Sequence, residues 1–162
     1  MKNSSFFNSI VLLVAITSIN GQISDADFDN LEPKLIEWRH HLHQNPELSN
    51  REFKTAEYVT SHLKSLGIEV LTGVAHTGVV GIIKGNRPGK VVALRADMDA
   101  LPVTERNNLS FKSEVVSTFK GKKTGVMHAC GHDAHVSILM GVAKVLTQNK
   151  DFAGIIKLIF QP

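Results

Sequence analysis

Apolar residues recur at helical spacing in three stretches of the chain and crowd into short runs between them. Leu31, Leu35, Trp38 and Leu42 share one face of a first predicted helix with Pro33 in its first turn. That helix stops before Asn45-Pro46, because the residue ahead of a proline is pushed out of helical geometry. A second helix begins after Ser49, with Glu52 three residues on as its capping-box partner; it buries Ala56, Val59, Leu63 and Leu66 and ends at Gly67. Three β-rich runs follow, near Ile68 to Leu71, Gly78 to Ile83 and Val91 to Arg95. The glycine- and proline-dense link Gly85-Asn86-Arg87-Pro88-Gly89 predicts a hairpin between the last two. Val136, Leu139, Met140, Ala143 and Leu146 carry a third helix to about Gln148, and Ile155 to Phe160 reads as a buried strand. Helix and strand alternate without repeats, which is the order of an α/β layered domain.

The amino-terminal residues stand apart from this pattern. Lys2, a polar stretch, the apolar run Ile10 to Ile16, and small or polar residues through Thr17, Ser18 and Gly21 have the three-part layout of an export signal with cleavage before Gln22. The run falls well short of the ~20 residues that span a bilayer, so no stable membrane anchor is expected. The expected organisation is a signal peptide over residues 1–21 and one folded unit over residues 22–162, secreted or periplasmic.

With 162 residues, 43% of them apolar and 20% charged, the chain has material for one domain with a hydrophobic core, and its composition is neither disordered nor fibrous. The formal charge is only +3, and Lys120, Lys122 and Lys123 form its one dense basic group. No aromatic residues interleave with these lysines, so they read as a solvated turn around Gly121, and nucleic acid is not an expected partner. Asn108-Leu109-Ser110 fits a glycosylation acceptor, a tripeptide common by chance.

The chemistry concentrates in Met127 to His135, which holds the chain's one cysteine and three of its eight histidines. Thiolate, imidazole and carboxylate bind a borderline-soft divalent ion such as zinc, and Gly131 between Cys130 and His132 lets both donors converge. Cys130 and His132 are the sharpest metal candidates. His128, Asp133 and His135 flank them, either as further ligands or as groups that orient the ligands. In an exported chain a lone cysteine makes no internal disulfide, so Cys130 is a buried thiol, an intermolecular bridge, a nucleophile or a ligand. Asp97 and Asp99 sit at or just past the carboxyl end of the third β-run, where open α/β sheets place ligands. Two residues apart in extended chain, they point the same way toward a shared cation, unless one pairs with Arg95 or caps a turn. His40, His41 and His43 near the end of the first helix read as structural, placed to favour its dipole.

The runs Trp38 to Leu48, Leu94 to Pro102, Met127 to His135 and Lys157 to Pro162 resemble the amidohydrolase branch of the aminoacylase and carboxypeptidase G family, which includes hippurate hydrolases and indole-acetyl-amino-acid hydrolases. The resemblance runs in order from about Leu35 to the last residue. It implies part of a di-metal peptidase catalytic domain, with a mixed, largely parallel central sheet flanked by helices. It also implies two divalent ions per complete site, zinc or manganese, with cobalt or nickel tolerated. Cys130 and His132 match two of the family's metal ligands. Asp99 matches a catalytic aspartate that orients a ligand histidine two residues before it. Asp97 occupies that histidine position here, as a ligand or as an orienting group. The family's general-base glutamate, its further ligands and its satellite domain, which often mediates dimerisation, have no counterpart in these residues. The expectation is therefore an amino-terminal fragment with little activity of its own.

Three functions follow as alternatives. The leading one is a metal-dependent hydrolase of N-acyl amino acids or small peptides, yielding a carboxylic acid and an amino acid. The second is a cysteine hydrolase using Cys130 with His128 or His132. The third is a non-catalytic metal-binding module.

Overall fold

The run Ile155 to Phe160, apolar on both faces, takes an interior place in the sheet, where both of its faces can be covered. The structure is a computed structural model and describes residues 28–162. Its strands are β1 (Glu69–Val74), β2 (Gly78–Lys84), β3 (Arg87–Asp97), β4 (Val116–Phe119), β5 (Lys122–Gly125) and β6 (Ala153–Gln161). Its helices are α1 (Glu32–Gln44), α2 (Phe53–Ser65) and α3 (His132–Gln148). The main sheet has the order β1-β2-β6-β3, and β4 and β5 form a separate antiparallel pair. The sheet is mixed, as expected, but among the described residues it is not largely parallel. Among these four strands the parallel pairing is β3 with β6, while β1 with β2 and β2 with β6 are antiparallel.

The expected hairpin between β2 and β3 does not form. β6 lies between them, with Val80 opposite Ile159 on one side and Leu94 opposite Leu158 on the other. The link at Gly85 and Asn86 instead crosses the start of β6, where the Gly85 N–H donates to the Gly154 carbonyl at 2.9 Å. β1 and β2 are the strands joined by a tight turn. Lys120 and Gly121, both with positive φ, make the β4–β5 turn, so the lysine group does sit on a turn as read.

All three helices end within a residue or so of their predicted limits. Pro33 lies in the first turn of α1, and Asn45 caps its end. The start of α2 differs in mechanism. Ser49 makes no capping bond there; the Glu47 carboxylate instead accepts from the Lys54 and Thr55 N–H groups at 3.2 and 2.8 Å. Glu52 is fully buried, accepting from the Asn50 N–H at 2.8 Å and the Thr77 hydroxyl at 2.5 Å.

α2 lies on β1 and β2, α3 lies on β3 and β6, and α1 packs against α3. Val59, Leu63, Val79, Leu158, Phe160, Met98, Val136 and Met140 form the centre of the core, with Trp38 and Leu42 closing it from α1. α1 and α3 approach closely at Gly141, where an added Cβ would sit 2.6 Å from Leu35 Cδ2. Among the described residues no helix is long and apolar enough to cross a membrane; the expected export signal lies outside them.

His62 on α2 is a pH-sensitive element of this packing. Its ring meets Trp38 edge-on at 4.6 Å, and its Nε2 lies 3.1 Å from the Met140 carbonyl. Burial lowers its pKa below 6.5, outweighing the raising effect of that carbonyl, with Lys144 adding to the lowering. The unfolded chain then takes up a proton that the native ring resists, so stability is full above about pH 6.5 and declines as pH falls toward the native value. Thermal melts should show Tm falling from pH 7 to pH 5, with a shallower fall in His62→Gln; an equal slope in the variant would refute this assignment.

Candidate metal centre

The carboxyl end of β3 and the start of α3 meet at one edge of the layer. Asp97 ends the strand, and the next four residues are pinned from both sides. The Met98 N–H donates to the Gln161 carbonyl at 2.8 Å, the Ala100 N–H to the Glu47 carbonyl at 2.7 Å, and Leu101 and Met127 exchange bonds of 2.9 and 3.0 Å. Met98 and Ala100 are buried, so the alternating Asp97 and Asp99 turn to the open side. On the facing element, Gly131 at φ +82° lets the chain turn sharply into α3, whose first residue is His132.

Asp99 and Asp97 flank the His132 ring from its two nitrogens. Nδ1 lies 2.9 Å from Asp99 Oδ1 and 3.0 Å from the Asp99 carbonyl. Both neighbours accept only, so Nδ1 carries the proton and Nε2 presents its lone pair. Nε2 faces Asp97 Oδ2 across 3.9 Å. The other Asp97 oxygen accepts from Arg95, which also donates to Gln161, so the pairing with Arg95 considered from sequence coexists with the outward-facing oxygen. His135, one turn along α3, stacks on His132 with centroids 5.6 Å apart. One donor atom from each of Asp97, His132 and His135 lies within 4.8 Å of the others. An ion bonded at about 2.1 Å to both Nε2 and Oδ2 bridges a gap of up to ~4.2 Å, so this nitrogen and oxygen set fits a divalent metal.

The remaining candidates lie around this group. Asp99 is outside it, acting on His132 rather than sharing a cation with Asp97. Cys130 is an exposed free thiol in the turn before Gly131, also outside the three-residue group. His128 is buried, and neither of its ring nitrogens has a protein partner. Burial is the main cause that lowers its pKa to about 4; Asp133 opposes the shift, His43 and His132 reinforce it, and Asp99 opposes it. A neutral interior imidazole with both nitrogens unspent is the kind of group that steadies a metal site or a water beside it. Asp133, 1% exposed, turns inward to His43 and Arg39 and is not a member of the group.

Sequence reasoning overlooked this inner network of Arg39, His43, Glu105 and Asp133. The legible signal was that Arg39 and His43 are four residues apart, and so share a helix face beside the buried Trp38 and Leu42. His40 and His41 are packing residues, stacked on Phe111 and Tyr58 at 3.7 and 4.3 Å. A cavity of about 400 Å³ lined by Gln44, Leu109, Ser110, Lys112, Glu114 and Val115 contains none of the donor residues.

Residues 93–162 match the model of peptidase family M20/M25/M40. These residues belong to this family. The chain is 53% identical over 138 residues to thermostable carboxypeptidase 2 of Saccharolobus solfataricus, covering 84% of this chain and 33% of that protein. It is 46% identical over 134 residues to an N-acyl-L-amino acid amidohydrolase of Geobacillus stearothermophilus, covering 82% and 34% of the two. Among solved structures, it aligns at TM-score 0.74 and 40% identity with a dinuclear metal-binding peptidase of the M20 family from Bacillus subtilis, over 83% of this chain and 36% of that one. The chain thus spans about a third of the length of the curated relatives it matches.

If Asp99 sets the His132 tautomer, Asp99→Asn should weaken divalent-metal binding by about 10- to 100-fold in calorimetric titration, because outer partners of ligand histidines carry effects of that size. Unchanged affinity in the variant would contradict the assignment.

Proposed function

We propose that the complete enzyme containing these residues hydrolyses the amide bond of N-acyl amino acids or small peptides with the help of bound divalent metal. The observation that carries this reading is the His132 ring, held at Nδ1 by Asp99 with Nε2 turned toward Asp97 Oδ2 at 3.9 Å. The amidohydrolase and carboxypeptidase names of the relatives support the substrate class.

In this reading His132, Asp97 and His135 hold one ion. Cys130, exposed at the amino end of α3, joins as a thiolate ligand favoured by the positive end of the helix. A divalent pair in such a site supplies polarisation of the amide carbonyl and a lowered pKa for water. The chain's own contribution is placement. Asp99 keeps the His132 lone pair aimed outward, Arg95 fixes the Asp97 carboxylate, and buried His128 stays neutral so that it adds no positive charge. The carboxylates around this cluster are engaged: Asp97 with Arg95, Asp99 with His132, Asp133 and Glu105 with His43. None is free to carry a proton to the leaving amine, so residues 28–162 alone are expected to bind metal and turn over little. Residues 1–21 are taken as an export signal, and zinc or manganese as the metal.

Dialysis of the complete enzyme against a chelator should abolish hydrolysis of an N-acyl amino acid, and added zinc or manganese should restore it. Full turnover without metal, lost on alkylation of Cys130, would overturn this reading in favour of a thiol hydrolase.

A further inference from the structure

Beneath the cluster, charged side chains, buried except for Arg39, join three segments far apart in sequence: Arg39 and His43 on α1, Glu105 in the loop after β3, and Asp133 in the first turn of α3. Both ring nitrogens of His43 face carboxylate oxygens, Nδ1 at 2.8 Å from Asp133 Oδ2 and Nε2 at 3.0 Å from Glu105 Oε1. A carboxylate partner at each nitrogen puts these contacts among the charge-assisted hydrogen bonds, which are stronger than neutral ones. The side chains of His43, Asp133 and Glu105 are 6%, 1% and 0% exposed, which keeps water from competing for these bonds. Arg39 Nε adds a second contact to Asp133 Oδ2 at 3.3 Å.

The position of Asp133 gives the bridge its consequence. It directly follows His132, in a helix start whose cap residue is Gly131, with left-handed backbone and no capping side-chain bond. The Ala134 and His135 N–H groups bond back to the Gly131 carbonyl at 3.0 and 3.1 Å, and with no capping side chain the long-range bond to His43 ties this first turn of α3 to α1. At the far end, Glu105 Oε2 accepts from the Ser113 N–H at 2.6 Å, and the Ser113 hydroxyl donates to the Val126 carbonyl at 2.7 Å, just ahead of the Met127 link to Leu101. Phe111 covers the bridge, stacked on His40 and edge-on to His43 at 5.6 Å. Burial opposes ionisation of Glu105, yet its bonds from His43, the Ser113 N–H and Asn107 bring its pKa down on balance, which matches a carboxylate built into a network.

The geometry points to His43 as a positioning residue for the metal site: by clasping Glu105 and Asp133 it holds the first turn of α3, and with it the donor nitrogens of His132 and His135, against the strand end that carries Asp97 and Asp99. His43 bonds to none of the donor groups directly. The inference rests on the metal-dependent reading above.

Co²⁺ binding to the full chain, followed by calorimetry and by the visible spectrum of the bound ion, tests it. His43→Gln and Glu105→Gln should each weaken Co²⁺ binding by about 10- to 100-fold and shift that spectrum. Leu63→Ala, a core truncation away from the site, should lower Tm at least as far while leaving the Kd within about twofold. Unaltered Kd and spectrum in both glutamine variants overturn the positioning role while the metal site stands, and so does a Kd that rises in step with lost Tm in all three. No Co²⁺ binding by the unaltered chain overturns the metal reading itself, and this inference with it. Should His43→Gln fail to fold, Glu105→Gln decides, since it keeps the shape and a carbonyl acceptor for Ser113.

Discussion

The hydrogen bond between Asp99 and His132 joins the end of a strand to the start of a helix 33 residues later, and the chemistry of the site depends on it. Without it the imidazole is free to rotate and to present either nitrogen. With it, the proton is fixed on Nδ1, and the lone pair of Nε2 points at Asp97 across a gap of metal-binding size. The bond exists because α3 packs on β3 and β6, which brings the amino end of the helix over the carboxyl end of the strand. That is the edge at which α/β layers place their ligands.

Holding two such ends in register to a few tenths of an ångström demands more than one bond. The loop carrying Asp99 is tied to Gln161, Glu47 and Met127 by backbone hydrogen bonds, and the helix start is tied through Asp133 to His43. Burying these polar groups would cost several kcal/mol if any were left unpaired, which is why a network of this kind is built completely or not at all. His128, buried with two unspent nitrogens, is the exception, and it lies beside the proposed metal site.

Much of the architecture was legible in sequence because it rests on local periodicity. The faces led by Trp38, Val59 and Met140 predicted three helices, and the β-branched runs predicted β1, β2, β3 and β6. What was not legible depends on long-range partnership. Gly85 to Gly89 looks like a hairpin link from within, and only the two-sided apolar character of β6 explains why that strand intervenes. The cap of α2 comes from Glu47 rather than Ser49 because the chain turns at Ser49 and Asn50, where the Arg51 N–H donates to the Leu48 carbonyl, and this brings Glu47 back to the helix start, which no capping-box pattern encodes. β4 and β5 are too short and polar to stand out. At the site, the Asp97, His132 and His135 grouping and the Asp99 contact fell among the residues singled out by their chemistry. His43 reads from sequence only as a structural residue near the helix end and Glu105 gives no signal, since a histidine on a helix and a glutamate in a loop carry no pairing pattern until the fold sets them face to face.

The central claim is that a divalent ion sits between Asp97 and His132, with the histidine oriented by Asp99. Anomalous diffraction at the zinc edge from crystals of the zinc-loaded chain tests it most directly. The account predicts a peak within bonding distance of His132 Nε2 and Asp97 Oδ2, with Nδ1 still on Asp99. A peak elsewhere, or a His132 ring turned so that Nδ1 meets the metal, would contradict it.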